Sequence, residues 1–116
     1  MVRSSARVPK RKKPHPYYDL AHVKELVADP EGHWVLRRAL VTARVDFGWG
    51  IEDIPDAVRK LRLKDYCKTS ECRTIPGEMV DYYKARGLKG EDVYLHFCVD
   101  LETGCLVIQS CHRLEE

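Results

Sequence analysis

The fold is decided by the stretch Val93-Tyr94-Leu95-His96-Phe97-Cys98-Val99-Asp100, near the end of a chain of 116 residues. Its odd positions are all apolar, whereas its even positions carry mostly polar or ring-bearing side chains. This alternation predicts a β-strand with one buried face, because successive side chains of a strand point to opposite faces of the sheet. The turn Leu101-Glu102-Thr103-Gly104 follows, and residues 105–113 are predicted to return as the hairpin partner.

The preceding part of the chain changes from a helical to an extended pattern after Leu63. Residues 64–70 and 79–84 are predicted as two further strands, since they are rich in residues that suit a pleated surface. Before them, apolar residues recur at helical spacing in three segments, which begin near Asp19, Leu36 and Asp53. Helices first and strands later predict an α+β domain, with N-terminal helices packed on one face of a C-terminal antiparallel sheet.

Composition and charge limit the classes of function. The chain is 44% hydrophobic and 33% charged, and it contains no apolar run long enough for a membrane span or a secretory signal. Residues 1–14 carry six cations and no acid, so they are predicted to be a disordered basic tail before a single domain at 15–116. Residues 57–90 are also basic, and a basic segment of this kind can hold a polyanion, or it can be a solvated surface.

The five cysteines argue for a reducing compartment and against a metal centre. Their number is odd and their density is too low for a disulfide scaffold, which favours a cytoplasmic protein with free thiols. Their spacing does not match a zinc knuckle or ribbon, although Cys67, Cys72, Cys98, Cys111 and the nearby histidines leave structural zinc as an alternative. No metal and no organic cofactor is therefore predicted.

Phosphate chemistry fits the sheet region better than metal chemistry. If the hairpin pairs residues whose numbers sum to an even value, then Tyr94, His96, Ser110 and His112 share one face. Imidazoles, a phenol and nearby cations are what metal-free RNA cleavage needs: a proton acceptor, a proton donor and fixed positive charge. The alternative is that these residues form only a solvated face.

Five short motifs, in order, resemble the motility quorum-sensing regulator (MqsR) family of toxins. They are Lys13-Pro14-His15-Pro16-Tyr17-Tyr18-Asp19-Leu20, Leu63-Lys64-Asp65-Tyr66-Cys67-Lys68-Thr69, Val80-Asp81-Tyr82-Tyr83, Val93-Tyr94-Leu95-His96 and Val107-Ile108-Gln109-Ser110-Cys111-His112-Arg113. The resemblance covers residues 13–116. It implies a RelE-like α+β fold and a metal-independent mRNA endoribonuclease, whose partners are an mRNA substrate and an antitoxin encoded beside it.

The resemblance also implies roles for individual residues. Lys68 matches the family's strand lysine and Tyr94 its strand tyrosine, whereas Val80 stands where the family has glutamine and His112 where it has its final lysine. In this interpretation Lys68 and Arg113 steady the scissile phosphate. Tyr94 positions the phosphate or exchanges protons, and His112 is a general acid or base.

Four more residues are expected to contact the substrate. They are Lys64, Tyr83, Lys84 and His96. The competing hypothesis is a catalytically inactive binding module that uses the same fold to engage a protein or an RNA, and the apolar Val80 is the feature in its favour.

Overall fold

The computed structural model describes residues 15–115, which form three α-helices and one five-stranded sheet. The helices are α1 (Leu20–Ala28), α2 (Arg37–Phe47) and α3 (Asp53–Arg59), and a 3₁₀ turn follows at Leu63–Asp65. The strands are β1 (His33–Val35), β2 (Tyr66–Glu71), β3 (Met79–Leu88), β4 (Glu91–Val99) and β5 (Leu106–Arg113). The α+β prediction is confirmed, whereas the predicted basic tail, residues 1–14, lies outside the described residues.

The sheet is mixed, and this corrects the prediction of an antiparallel one. Its order is β1-β5-β4-β3-β2, with antiparallel pairs from β5 to β2. The exception is β1, which lies between α1 and α2 in sequence and pairs in parallel with the start of β5. The extra strand is only three residues long, too short for its alternation to be recognised in sequence.

One large core lies between the helices and one face of the sheet. The apolar positions of α1, α2 and α3 meet the side chains of Tyr83, Val93, Leu95, Phe97 and Ile108, all of which are buried. The helical spacing that predicts the three helices therefore also predicts which of their faces is buried. We call the sheet face that packs on this core the core face, and the opposite face the outer face.

Two β-bulges determine which side chains reach the outer face. In β2, Tyr66 pairs with Tyr83 but Lys68 pairs with Tyr82, so Cys67 is the additional residue. In β5, the register shifts at Gln109, between the pair His96–Ser110 and the pair Phe97–Ile108. After an extra residue, each following side chain of the strand points to the opposite face from the one that it would otherwise occupy. The bulges therefore turn Lys68 and His112 to the outer face, although Tyr66 and Ile108 of the same strands face the core.

Helix α2 covers the edge of β5 that β1 is too short to reach. Nε of Arg38 donates to the carbonyl of Gln109 over 2.9 Å, and the Thr42 hydroxyl donates to the carbonyl of Cys111 over 2.8 Å. One turn further on, Asp46 accepts from the backbone N–H of Arg113 over 2.8 Å. Steps of four residues on a helix and two on a strand both advance about 6 Å, so the two elements stay in step.

The segment before α1 is tied to the core by a buried carboxylate. Asp81 is 0% exposed, and its oxygens accept from the backbone N–H groups of Tyr17 and Tyr18 over 3.0 and 2.9 Å and from the Thr69 hydroxyl. The Tyr18 hydroxyl also donates to the carbonyl of Met79 over 2.6 Å. Buried charge is tolerated where it is hydrogen-bonded in this way.

As to membranes, no helix within residues 15–115 has the length and apolar character needed to span one.

Candidate active site on the outer face

Four rings form a continuous row across β3, β4 and β5 on the outer face. Tyr82 lies 4.5 Å from His96 and 6.1 Å from Tyr94, measured between ring centroids, and Tyr94 lies 5.3 Å from His112. We call these four residues the aromatic row. Tyr94 pairs directly with His112, and His96 with Ser110, so the predicted even-sum register is confirmed for this part of the hairpin. Nearer the turn, beyond the bulge at Gln109, the register has changed.

Positive charge lies directly against the row. Nζ of Lys68 is 4.9 Å from the centroid of the Tyr82 ring, within the range of a cation–π contact. Lys84 pairs with Tyr94 in the register of β3 and β4 and is exposed on the same face. An anion that binds over the row would therefore find one lysine at each end of the two tyrosines.

The aromatic row opens into a cleft of about 980 Å³. Lys68, Tyr82 and His96 line it, together with Arg38 and Gln109. Further along, the floor becomes apolar, where a second small cluster of Val80, Cys98 and Val107 is buried beneath the outer face. The cleft thus has a cationic, aromatic end, and a far part in which Glu78 and Asp100 stand beside the apolar floor. The cationic, aromatic end suits a phosphate joined to a planar base.

The protonation of the row follows from its half-buried position. Burial raises the pKa of Tyr94 above 10.0, so its hydroxyl keeps its proton at neutral pH and can donate a hydrogen bond. Burial lowers the pKa of His96 below 6.5, and the positive charges of Arg38 and Lys68 act in the same direction. At neutral pH the row therefore offers a phenol donor and an uncharged imidazole.

Two of the predicted site residues, Tyr83 and Arg113, do not lie on the outer face. Tyr83 is 0% exposed and stacks on Phe97 in the main core, because it lies one position from Tyr82 and faces the other way. Arg113 pairs with Val93, and its guanidinium lies over Phe47 and donates to the Asp46 carbonyl. Tyr83 and Arg113 therefore do not lie with the aromatic row.

Of the other predicted residues, five lie together on the outer face and one, Lys64, lies elsewhere. Lys68, Lys84, Tyr94, His96 and His112 share the outer face. By contrast, Lys64 lies exposed in the 3₁₀ turn before β2, and none of the described contacts joins it to the aromatic row.

Three residues of the site were missed in the sequence. Tyr82 and Tyr83 both suit phosphate chemistry, but alternation does not tell which of two adjacent tyrosines is buried, and only Tyr83 is predicted as a substrate contact. Arg38 could have been found, because the polar residues Arg38, Thr42 and Asp46 repeat every four positions beside the apolar stripe of α2. Gln109 carries no such signal, because its position depends on the bulge.

The cysteines differ in how readily their thiols can ionise. Burial raises the pKa of the Cys98 and Cys111 thiols to about 12, so neither is a ready nucleophile. Across residues 15–115, no group of three or more histidine, cysteine or acidic side chains lies close enough together to hold a metal ion. Within the described part of the chain a metal would therefore find no such group of ligands, whereas Cys72, which lines the cleft, has a pKa that is lowered by its hydrogen bonds to Thr74.

Comparison with known families identifies the chain. The family described as "Motility quorum-sensing regulator, toxin of MqsA" matches it over residues 15–110. The chain belongs to the MqsR family of toxins. It is therefore the toxin of a toxin–antitoxin pair, and its protein partner is an antitoxin. No curated protein gives a significant match to the sequence.

Proposed function

We propose that this MqsR-family toxin is a metal-independent mRNA endoribonuclease with a RelE-like arrangement of helices and sheet. The observation that carries the proposal is the aromatic row with Lys68 and Lys84 beside it, at the mouth of the cleft. Proteins bind single-stranded RNA by stacking bases on aromatic side chains and by neutralising phosphates with lysine.

The same face holds the groups that transesterification requires. In this reaction the 2′-oxygen attacks phosphorus as it gives up its proton, and the 5′-oxygen leaves as it gains one. The products are a 2′,3′-cyclic phosphate and a 5′-hydroxyl end. Lys68 stabilises the additional negative charge of the phosphorane, and His112 transfers a proton. Tyr94 donates a hydrogen bond to a phosphate oxygen, which fits its raised pKa.

Binding of the rest of the RNA is assigned to Lys84 and His96 on the outer face. Residues 1–14 add six cations, which would contribute affinity for the phosphate backbone without sequence preference. We expect this part of the binding to weaken steeply as salt is raised, whereas stacking on the aromatic row is less sensitive to salt.

The test is cleavage of a single-stranded mRNA by the purified, untagged chain in excess EDTA, with both new ends mapped. The control is a Lys68→Ala/His112→Ala double variant purified in the same way, because contaminating ribonucleases also work without metal. We expect the parent to cleave and the double variant not to cleave. Loss of cleavage in EDTA, or 3′-hydroxyl ends, would contradict the mechanism.

A specific observation supports the rival function, an inactive binding module. Val80, at the position where the family has glutamine, is 3% exposed and packs in the small apolar cluster under the cleft. Nothing polar can reach the substrate from that position. Binding of RNA by the parent without any cleavage, under conditions in which the antitoxin still forms a complex with it, would favour this reading.

A further inference from the structure

The two histidines of the aromatic row are held in the same way. Nδ1 of His96 lies 3.0 Å from Oε1 of Gln109, and Nδ1 of His112 lies 2.9 Å from the backbone carbonyl of Arg113. Carbonyl oxygens accept hydrogen bonds and never donate them, so each Nδ1 carries the hydrogen. In the neutral ring Nε2 then holds the free electron pair, and no described residue hydrogen-bonds to Nε2 of either ring.

The two rings are also neighbours across the sheet. Since His96 pairs with Ser110 and Tyr94 with His112, the two histidines are diagonal neighbours on adjacent strands. Such positions are separated by about 7–8 Å between Cα atoms, close enough for long side chains to act on one group. Tyr94 lies against His112, and Tyr82 lies against His96.

The surroundings of the two rings differ. His96 faces the cations Lys68 on β2 and Arg38 on α2, together with His112 on β5 and the ring of Tyr82 on β3. Glu78 and Asp100 line the far part of the same cleft. Burial is the main cause that keeps His96 uncharged, and its hydrogen bond to Gln109 opposes that effect. His112 faces Tyr94 on β4 at the open end of the row, while Asp46 of α2 binds the backbone of the next residue.

We propose that His96 and His112 form a general base and general acid pair, an inference that rests on the proposed cleavage of RNA. Nε2 of His96 accepts the proton of the 2′-hydroxyl as the bond between the 2′-oxygen and phosphorus forms. Nε2–H of protonated His112 gives its proton to the 5′-oxygen as the bond between phosphorus and that oxygen breaks. Gln109 is a positioning residue, since it fixes the tautomer and orientation of His96.

The pattern of the sequence agrees with a pair that acts together. In the motifs that this chain resembles, the position of His112 carries lysine, whereas here both His96 and His112 are histidines. A lysine ammonium can hold a phosphate, but near neutral pH it is a poor proton acceptor. Two histidines can supply both proton transfers, because an imidazole accepts a proton in its neutral form and gives one up in its protonated form.

A substrate with a modified leaving group separates the two roles. When sulfur replaces the 5′-oxygen at the scissile bond, the leaving group no longer needs a proton. With ordinary RNA we expect His96→Ala and His112→Ala each to lose ~10²–10⁴ in rate. With the sulfur substrate, His112→Ala should cleave almost as fast as the parent, whereas His96→Ala should remain slow. His22→Ala, at an exposed position on α1, is the control and should behave as the parent on both substrates.

The pH dependence of the rate tests Gln109. In the parent the acidic limb of kcat/KM reports protonation of His96 and should lie below pH 6.5. Gln109→Glu keeps the acceptor and adds a negative charge beside the imidazole, which stabilises its protonated form. The acidic limb should therefore move to higher pH. A purely structural role for Gln109 would change the rate by the same factor at every pH.

The outcomes distinguish the pair from the proposed function. A parent that cleaves RNA while the sulfur substrate rescues neither variant, or rescues His96→Ala instead, overturns the assignment of the pair and leaves the function intact. A parent that cleaves neither substrate overturns the function and the pair together. If His96→Ala fails to fold, Gln109→Glu with an unmoved acidic limb is the result that counts against the pair.

Discussion

Strands β3 and β4 carry one aromatic cluster on each face of the sheet, and members of the two clusters are adjacent in sequence. On the core face, Tyr83 stacks on Phe97 with ring centroids 5.4 Å apart, and the rings of Tyr66 and Tyr83 form a T-shaped pair. On the outer face, Tyr82 lies 4.5 Å from His96. The core rings pack in the main core, where the Tyr66 hydroxyl is hydrogen-bonded to Thr69, whereas the outer rings keep an exposed edge and lie beside cations. One alternating pattern thus builds a layer for stability and a layer for chemistry, and the two should respond separately to mutation.

The largest expected effect belongs to the outer face. Lys68→Ala removes the cation over Tyr82, and if that cation stabilises the phosphorane, the cleavage rate should fall by ~10²–10³. Lys64→Ala is the matched control, since it removes an equal charge four residues away that contacts none of the aromatic row. The free energy of unfolding of both variants, taken from thermal melts, should stay within about 0.5 kcal/mol of the parent value. Equal losses of activity in both variants would mean that only general positive charge matters.

A substitution on the core face should lower the free energy of unfolding and leave the cleavage rate unchanged. Asp81→Asn weakens the hydrogen bonds that hold Tyr17, Tyr18 and Thr69, and it places an amide N–H against their donors. The free energy of unfolding should fall by about 2–3 kcal/mol in urea titrations. Below the melting transition, cleavage should be retained. A variant that melts like the parent but no longer cleaves would connect the two layers and refute their separation.

The sequence predicts the two layers better than it predicts which residues occupy them. Alternation in residues 93–100 places Tyr94 and His96 opposite Leu95 and Phe97, and the structure confirms this. Strand β3 has adjacent tyrosines, and nothing local to the sequence determines which of them faces the core. The choice of Tyr83 as a substrate contact was wrong for this reason, because register depends on pairing with partners distant in sequence.

The bulges set a second limit on prediction. Lys68 and His112 reach the outer face only because Cys67 and Gln109 are additional residues in their strands. A bulge arises from a mismatch in length between two paired strands, which neither strand reveals by itself. Alternation within each strand therefore could not place Lys68 or His112. Family resemblance indicates both, and the assumed even-sum register also places His112 beside Tyr94. Arg113 is a different case, because adjacent residues of a strand face opposite sides and alternation alone separates it from His112.

A smaller effect is expected where helix α2 meets the edge of β5. Thr42→Val keeps the shape of the side chain and removes the hydroxyl that donates to the Cys111 carbonyl. The free energy of unfolding should fall by about 1 kcal/mol, the net value of one such hydrogen bond. Val41→Thr, at the adjacent exposed position, is the control and should change little. Equal stability of both variants in urea would show that the Thr42 hydroxyl adds nothing net to the contact of α2 with β5.

The smallest effect tests the core face directly, through the hydroxyl of Tyr83. Among the described residues this buried hydroxyl has no hydrogen-bond partner, and burial raises the pKa of Tyr83 well above 10.0. Tyr83→Phe removes the unsatisfied group, and the gain is partly offset by lost packing around the missing oxygen. We expect the free energy of unfolding to rise by up to about 1 kcal/mol, with no change in cleavage. Tyr82→Phe, one residue away on the outer face, should leave stability unchanged, because its hydroxyl is not buried in the core. Destabilisation by Tyr83→Phe of more than about 1 kcal/mol would show that the hydroxyl has a partner, and the core face would then contain a second polar link beside the hydrogen bonds of Asp81.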